Sequence, residues 1–296
     1  MALAHLTRRR SPISISPGMG IFIMRRLLLV VLLGFGCRPS ARQASRPAER
    51  VVSLLPSFTE LVFAIGAGDR LVGRTAWCDY PPAARAVPSV GDGMPPNVEA
   101  VAARHPDLVV LYNSGPNVTA AKQLERLGIR TVLLDLNRLE DLGPAARMLG
   151  RLTGRVAAAE SLVAAMDSLA ARPPPPAITS IVVVVWDNPP IVIGRGSYLH
   201  QLATLAGARN VFDDIAVPSA QVSLETIAAR NPVWVAVLAD SARSGPPAFA
   251  ARREWRTVRA VREGRFLLLP GSLFGRPGPR SAEAVRELRA RLEATR

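Results

Sequence analysis

The sequence predicts an α/β protein of two lobes with parallel sheets, joined by a single long α-helix. Two observations carry this prediction. From Arg50 onward, short β-branched or leucine-rich runs alternate with helical stretches, an order typical of parallel α/β sheets. In addition, one ten-residue segment recurs 126 residues later in the chain, which indicates two related halves.

The composition fits a folded protein rather than a nucleic-acid-binding or disulfide-stapled one. The chain has 296 residues, of which 49% are hydrophobic and 20% charged, so a largely disordered chain is excluded. Two cysteines, Cys37 and Cys78, are too few for a disulfide framework. The net charge is +14, but the arginines after the N-terminus are scattered without interleaved aromatic residues. We therefore expect no nucleic-acid partner.

The N-terminus has the pattern of an export signal over residues 1–36. Arg25-Arg26 precede an apolar run that is too short to span a bilayer, as in a secretory signal. Met24 stands directly before the arginine pair and is an alternative start to Met1. Gly36-Cys37 resembles a bacterial lipoprotein signal, in which the cysteine is acylated, although the nearest leucine stands one place too far upstream. The alternative is an ordinary cleaved signal. Residues 37–48 are predicted to be a polar tether.

The first lobe is predicted over residues 49–150. It opens with a buried strand at residues 51–54, and a helix follows whose Ser57 and Glu60 have the spacing of a capping box and which ends at Gly66. Further strands are predicted at 108–112 and 131–136, with a helix at 120–127 between them.

A mostly helical stretch, residues 139–171, follows this lobe, and prolines 173–176 end it. We predict that Gly150 and Gly154 divide the stretch and that residues 151–173 form the inter-lobe helix. The second lobe is predicted over 174–296. Its elements are strands at 178–186, 191–193, 233–238 and 266–269, and helices at 197–206 and from 281 onward.

The repeat consists of residues 97–106 (NVEAVAARHP) and residues 223–232 (SLETIAARNP). Each copy begins with a residue suited to a helix N-cap, carries a glutamate two positions later and ends in proline before a hydrophobic strand. Two related lobes explain this match. The alternative is chance similarity between alanine-rich helices.

The chain carries no recognisable catalytic motif. After the signal, the histidines are His105 and His200, whereas a zinc site needs three or four clustered ligands. Both are interpreted as surface or packing residues. We therefore predict that the protein is not an enzyme and has neither a metal site nor a resident cofactor.

Residues 50–61 (RVVSLLPSFTEL) resemble the opening of the helical-backbone class (class III) of periplasmic substrate-binding proteins. These are the ABC-importer receptors for cobalamin (vitamin B12), ferric siderophores and haem. Residues 78–82 (CDYPP), 206–210 (AGARN) and 221–225 (QVSLE) fit the same family in order and spacing. The resemblance implies two Rossmann-like lobes that move little, a periplasmic or cell-envelope location, and delivery of the ligand to a dimeric ABC permease with its ATPase.

The segments around Tyr80 and Gln221 resemble the cobalamin-binding branch most. There, an aromatic residue three positions before the tyrosine lines the corrin pocket, and Trp77 holds that place here. The chain departs from the branch at Gly91 and Ser219, where tryptophans are expected, and at Ser272, where an aspartate is expected.

A corrinoid is thus the first expected ligand, held in the cleft between the lobes. The predicted contacts are Trp77, Tyr80, Tyr198, Phe274 and Arg276. Packing within their own lobes is the alternative for Tyr198 and Phe274. A ferric siderophore or haem is the alternative ligand, with Arg195 and Arg276 facing an anionic chelate, and a secreted α/β enzyme is the remote alternative.

Glu99 and Glu225 occupy equivalent positions in the repeat. Each is predicted in the first turn of a helix, where a carboxylate interacts favourably with the helix dipole. The family resemblance implies a second role: glutamates at matching positions project from the lobe tips and pair with arginines of the dimeric permease.

Overall fold

Two β-sheets account for the alternation of strands and helices in the sequence. The computed structural model describes residues 46–239 and 245–294. From Pro47 onward the chain forms one compact unit, which contains both sheets. The predicted signal sequence, Cys37 and nearly all of the predicted tether lie outside the described residues.

The first sheet has four parallel strands in the order β2-β1-β3-β4. Its two central strands are short runs of buried residues, as expected of parallel strands covered on both faces. Its elements in chain order are β1 (Val51–Ser53), α1 (Pro56–Ala64), β2 (Leu71–Arg74), α2 (Val98–Ala102), β3 (Leu108–Tyr112), α3 (Gly115–Arg126) and β4 (Arg130–Leu134).

The predicted capping box of α1 is wrong. The helix begins at Pro56, the N-cap residue is Leu55, and no side chain caps it. Ser57 and Glu60 are buried instead. The predicted end is confirmed, because Gly66 has a φ of +72°, a left-handed conformation that glycine adopts without steric cost.

Two helices follow the first sheet, α4 (Leu142–Leu152) and α5 (Val156–Ala170). Gly154, with a φ of +66°, separates them as predicted. The helix that leads to the second sheet is therefore α5, shorter than the predicted 151–173. Gly150 allows α4 and α5 to approach closely, since a Cβ atom at that position would lie 2.5 Å from the Cβ atom of Ala159.

The second sheet is mixed rather than parallel, which corrects the prediction. Five strands follow the order β10-β9-β5-β6-β8, with β7 beside β5, and β6 runs antiparallel to both β5 and β8. The reversal arises because Asp187 pairs with Pro190 across a two-residue turn. The elements are β5 (Thr179–Asp187), β6 (Pro190–Ile193), α6 (Tyr198–Leu205), β7 (Ala208–Asn210), β8 (Ser219–Gln221), α7 (Leu224–Arg230), β9 (Trp234–Ala239), α8 (Arg259–Arg262), β10 (Phe266–Pro270), α9 (Gly271–Phe274) and α10 (Ser281–Ala294).

The largest hydrophobic core extends through both sheets. It joins Val51 of β1 to Ile181 of β5 through helix residues such as Leu142, Val163 and Leu288. This shared core explains why the chain forms a single unit, although its strands fall within the ranges 49–150 and 174–296 predicted for two lobes. The lobe boundaries themselves stay predictions.

The internal repeat is confirmed as a structural repeat. Asn97 caps α2 and Ser223 caps α7, each accepting a hydrogen bond from the backbone N–H three residues later. His105 and Asn231, again 126 positions apart, both adopt left-handed conformations with φ of 48° and 45° directly before proline. Chance similarity of alanine-rich helices does not explain why both copies share the same N-cap hydrogen bond and the same left-handed residue before proline.

Among the described helices, none combines the length and the apolar composition needed to cross a membrane.

Candidate ligand-binding site

The carboxyl edges of the two sheets face each other across the lobe boundary. Trp77 follows the end of β2 by three residues, and Arg276 follows the end of β10 by six. The Nη2 atom of Arg276 donates a hydrogen bond to the carbonyl oxygen of Trp77 at 2.9 Å. Loops at the carboxyl ends of parallel strands are where open α/β sheets bind ligands, so this junction is the candidate site.

Four charged residues, Glu60, Asp79, Arg276 and Arg280, form what we call the inter-lobe ion-pair cluster. Arg280 donates two hydrogen bonds to the Glu60 carboxylate, at 2.8 and 2.7 Å. Arg276 pairs with Asp79, and its Nη1 atom lies 3.6 Å from Oε1 of Glu60. The two acids belong to the first lobe and the two arginines to the second, so every ion pair within the cluster crosses the boundary.

Glu60, Arg276 and Arg280 are largely buried, and their burial strengthens the effect of the ion pairs on protonation. The side chain of Glu60 is 2% exposed and those of both arginines are 14% exposed. Burial alone would raise the pKa of Asp79, but the hydrogen bond and charge of Arg276 outweigh it and hold that pKa below its usual value. Burial would likewise lower the pKa of Arg280, but the bonded Glu60 carboxylate raises it overall. Asp79 and Arg280 are thus held in their charged forms.

The first lobe contributes an exposed aromatic wall. The side chain of Trp77 is 63% exposed, and Tyr80 is also exposed. The Arg280 guanidinium lies over the Tyr80 ring, 3.8 Å from its centroid. This cation–π contact fixes one face of the ring against the ion-pair cluster.

The second lobe contributes Trp186 and Leu238, which sequence reasoning missed. Trp186 is 59% exposed near the carboxyl end of β5, and its Nε1 atom donates to the carbonyl oxygen of Asn188 at 2.8 Å. Both residues line a cavity of about 180 Å³ beside Phe249. The signal for Trp186 was its place at the end of a predicted strand, where binding residues of α/β proteins concentrate.

Two of the predicted ligand contacts are corrected by the structure. Tyr198 and Phe274 are buried in the main core, so neither reaches a ligand in this conformation. The Tyr198 hydroxyl lies 3.0 Å from Oγ of Ser281, and burial raises its pKa to about 12. Tyr198 and Phe274 are therefore packing residues, which was the alternative interpretation of both.

The structure places the two predicted arginines in different surroundings. Arg276 lies at the junction, as predicted, but its guanidinium already bonds Asp79 and Trp77. Arg195 lies two residues after the end of β6 and lines a groove together with His200 and Arg209.

Glu99 and Glu225 are exposed in the first turns of α2 and α7. Within the part of the chain that the structure describes, neither forms an ion pair. Hydrogen bonds from its own backbone and from Ser223 lower the pKa of Glu225, which keeps that carboxylate charged. Both carboxylates are thus available to a partner, and their docking role stays a prediction.

Across residues 46–239 and 245–294, no group of three or more histidine, cysteine, aspartate or glutamate side chains is placed to hold a metal ion.

Comparisons with known proteins agree with this architecture. The family described as "Periplasmic binding protein" matches residues 51–273. A vitamin B12-binding protein of Salmonella typhimurium is 34% identical over 194 residues, which cover 64% of this chain and 72% of the relative. One of Vibrio cholerae is 25% identical over 255 residues, covering 84% and 91%.

Solved structures show the same two-lobed fold. A periplasmic haem-binding protein of Pseudomonas aeruginosa superposes with a TM-score of 0.71 and 28% identity, covering 83% of this chain and 92% of the other. A periplasmic vitamin B12 binding protein of Vibrio cholerae shares the fold with a TM-score of 0.64 and 24% identity, covering 84% and 98%. The strands, the facing carboxyl edges and the match over residues 51–273 lead to one conclusion: the chain belongs to the periplasmic binding protein family.

Proposed function

We propose that this protein is the extracytoplasmic receptor of an ABC importer, which captures a cobalamin-like corrinoid between its lobes and delivers it to the permease. The observation that carries the proposal is the pair of exposed tryptophans, Trp77 and Trp186, at the facing carboxyl edges of the two sheets. The relatives described as vitamin B12-binding proteins support the choice of ligand.

Exposed tryptophans at a cleft favour a large ligand with apolar faces. An aromatic side chain buries about 150–250 Å² when it is covered, and at about 25 cal/mol per Å² this is worth several kcal/mol for two tryptophans. The 180 Å³ cavity beside Trp186 admits only part of such a ligand. We propose that the remainder lies against Trp77 and Tyr80 of the first lobe. A corrinoid, with its broad ring and amide-bearing rim, suits these surfaces.

Haem or a ferric siderophore is the second candidate. The structural likeness to a haem-binding protein, at 28% identity, favours it. Against it, the Arg276 guanidinium is already paired with Asp79, so this arginine is not free to bind a carboxylate-bearing chelate.

Calorimetric titration of the exported protein separates these candidates. We expect cyanocobalamin to bind with one ligand per protein, and haemin and a ferric hydroxamate to bind at least tenfold more weakly. Tight binding of haemin or the ferric chelate without cyanocobalamin binding would overturn the corrinoid assignment. The absorbance spectrum of any co-purified ligand gives an independent reading, because corrinoids, haem and ferric siderophores absorb differently.

Glu99 and Glu225 are proposed to dock the receptor on the two halves of the permease. Two like charges in symmetry-related positions suit a two-fold partner, and their attraction to basic residues would be sensitive to salt. The double variant Glu99→Ala/Glu225→Ala should lose transport and permease association while keeping its ligand affinity and thermal stability. Glu125→Ala/Glu254→Ala, which removes two exposed glutamates elsewhere, is the matched control. Normal docking of the first variant, or loss of ligand instead, would show that these glutamates serve capping or the cleft.

The protein is further proposed to be anchored to the membrane through an acylated Cys37. Mass spectrometry of the mature protein should find an N-terminus at Cys37 carrying acyl chains. An unmodified N-terminus at another residue would indicate an unanchored periplasmic receptor.

A further inference from the structure

Asp79 is the more accessible member of its ion pair. Its side chain is 41% exposed, whereas that of Arg276 is 14% exposed. The guanidinium is further occupied by the Trp77 carbonyl oxygen and lies 3.6 Å from Glu60. A molecule that enters from solvent beside Trp77 therefore meets the Asp79 carboxylate before it meets the arginine.

Charge balance in the inter-lobe ion-pair cluster depends on this aspartate. Glu60 is bonded to Arg280 through both of its carboxylate oxygens. Asp79 is the second acid of the cluster, and without its charge two arginines would share the single carboxylate of Glu60. The cluster would then carry one net positive charge at the edge of the cleft.

We propose that Asp79 is a specificity-determining residue, which makes the cleft select ligands whose rim carries amides over those whose rim carries carboxylates. A ligand carboxylate near Asp79 is repelled, or it displaces Asp79 from Arg276 and leaves a carboxylate without its partner, and either outcome costs affinity. A ligand amide meets neither cost, since its N–H group can donate to the free lone pairs of Asp79. This inference rests on the proposed function, because it assumes that the cleft binds a large ligand.

A pair of ligands that differ by one group tests the inference directly. Cyanocobalamin carries propionamide side chains, and mild hydrolysis converts one of them to a carboxylic acid without changing the rest of the molecule. The measured quantity is the dissociation constant of the acid divided by that of the amide, at pH 7. Wild-type protein should bind the acid at least about tenfold more weakly than the amide.

Three variants give distinct expected outcomes. Asp79→Asn keeps the shape of the side chain and frees Arg276, so the ratio should fall about tenfold or reverse. Arg276→Gln leaves Asp79 without its partner, so discrimination against the acid should increase. Asp69→Asn, at an exposed acid whose nearest cation is Arg155 at 3.9 Å, is the matched control and should keep the wild-type ratio.

The inference and the proposed function fail in different ways. An unchanged ratio in Asp79→Asn, in a protein that still binds cyanocobalamin, would overturn the inference alone. Absence of cyanocobalamin binding in the wild type would overturn the proposed function and this inference with it. If Asp79→Asn does not fold, Arg276→Gln provides the test. A ratio in Arg276→Gln that equals or falls below the wild-type ratio would refute the inference.

Discussion

The two lobes present side chains of opposite charge where they meet. At its carboxyl edge the first lobe presents two acids, Glu60 and Asp79, whereas the second presents two arginines, Arg276 and Arg280. Each lobe also contributes one strongly exposed tryptophan, yet the sheets behind them differ, one wholly parallel and the other mixed. The lobes are therefore alike in topology around the repeat and unlike at the surface where they meet.

This difference shows why the lobes act as one body. The buried Glu60 carboxylate of the first lobe takes both of its neighbouring cations, Arg276 and Arg280, from the second lobe. Removing one partner of a buried ion pair leaves an uncompensated charge, which is costly. Together with the hydrophobic core that spans both sheets, the pairing stabilises the relative orientation of the lobes.

The largest effect is expected from breaking the most buried pair. Glu60→Ala leaves the Arg280 guanidinium without its carboxylate and should reduce the free energy of unfolding by about 3 kcal/mol or more. Urea denaturation measures this change. Glu160→Ala, which removes the exposed partner of Arg147, is the control and should cost less than about 1 kcal/mol. Equal effects of the two variants would mean that the cluster does not hold the lobes together.

A second effect should appear at alkaline pH. Burial raises the pKa of Tyr198 from 10.0 to about 12, so the folded state holds the hydroxyl in its neutral form. The resulting stability is complete below pH 10 and is lost as the pH rises through 12, a change of about 2–3 kcal/mol. Tyr198→Phe has no hydroxyl to titrate, so the difference in free energy of unfolding between wild type and variant should change by about 2–3 kcal/mol between pH 10 and pH 12 and reverse its sign. A constant difference between them would show that Tyr198 does not titrate in this way.

A smaller effect is expected for Tyr198→Phe at neutral pH. The variant loses the hydrogen bond between the tyrosine hydroxyl and Ser281, worth about 1 kcal/mol. Because the ring is buried, affinity for cyanocobalamin should not change, and calorimetry with both proteins checks this. Weaker binding at unchanged stability would restore Tyr198 as a ligand contact.

The smallest effect concerns acid. The pKa of Asp79 lies below its usual value of 3.8, so its pairing with Arg276 is complete at neutral pH and is lost only as the pH falls through that lowered pKa. The difference in melting temperature between wild type and Asp79→Asn should therefore stay constant from pH 7 to about pH 5 and vanish in stronger acid. A difference that already declines near pH 6 would contradict the pairing.

Local signals in the sequence were sufficient to predict the strands and the repeat. The runs at β1 and β3 are short, apolar and bounded by turns, and the copies at residues 97 and 223 share caps and prolines. The capping box failed because the helix already begins at Pro56, so Ser57 and Glu60 lie within it, and Glu60 is bonded instead to Arg280, a residue 220 positions away.

The candidate site was harder to predict for the same reason. A tyrosine at the start of a helix looks the same in sequence whether it faces a cleft or a core, and Tyr198 faces the core. Arg276 was placed at the junction, but the acid that neutralises it lies in the other lobe. Trp186 could have been found, because it stands at the end of a predicted strand.

The central claim is that the ligand lies between both lobes, and the affinity of cyanocobalamin for tryptophan variants tests it most directly. Titration calorimetry on Trp77→Ala and on Trp186→Ala should show binding weakened at least several-fold in each, since each removes one wall of the cleft. Leu127→Ala, at a comparably exposed apolar residue on α3's end, should bind like the wild type. Unchanged affinity in either tryptophan variant, with an intact fold, would contradict a ligand held between the two lobes.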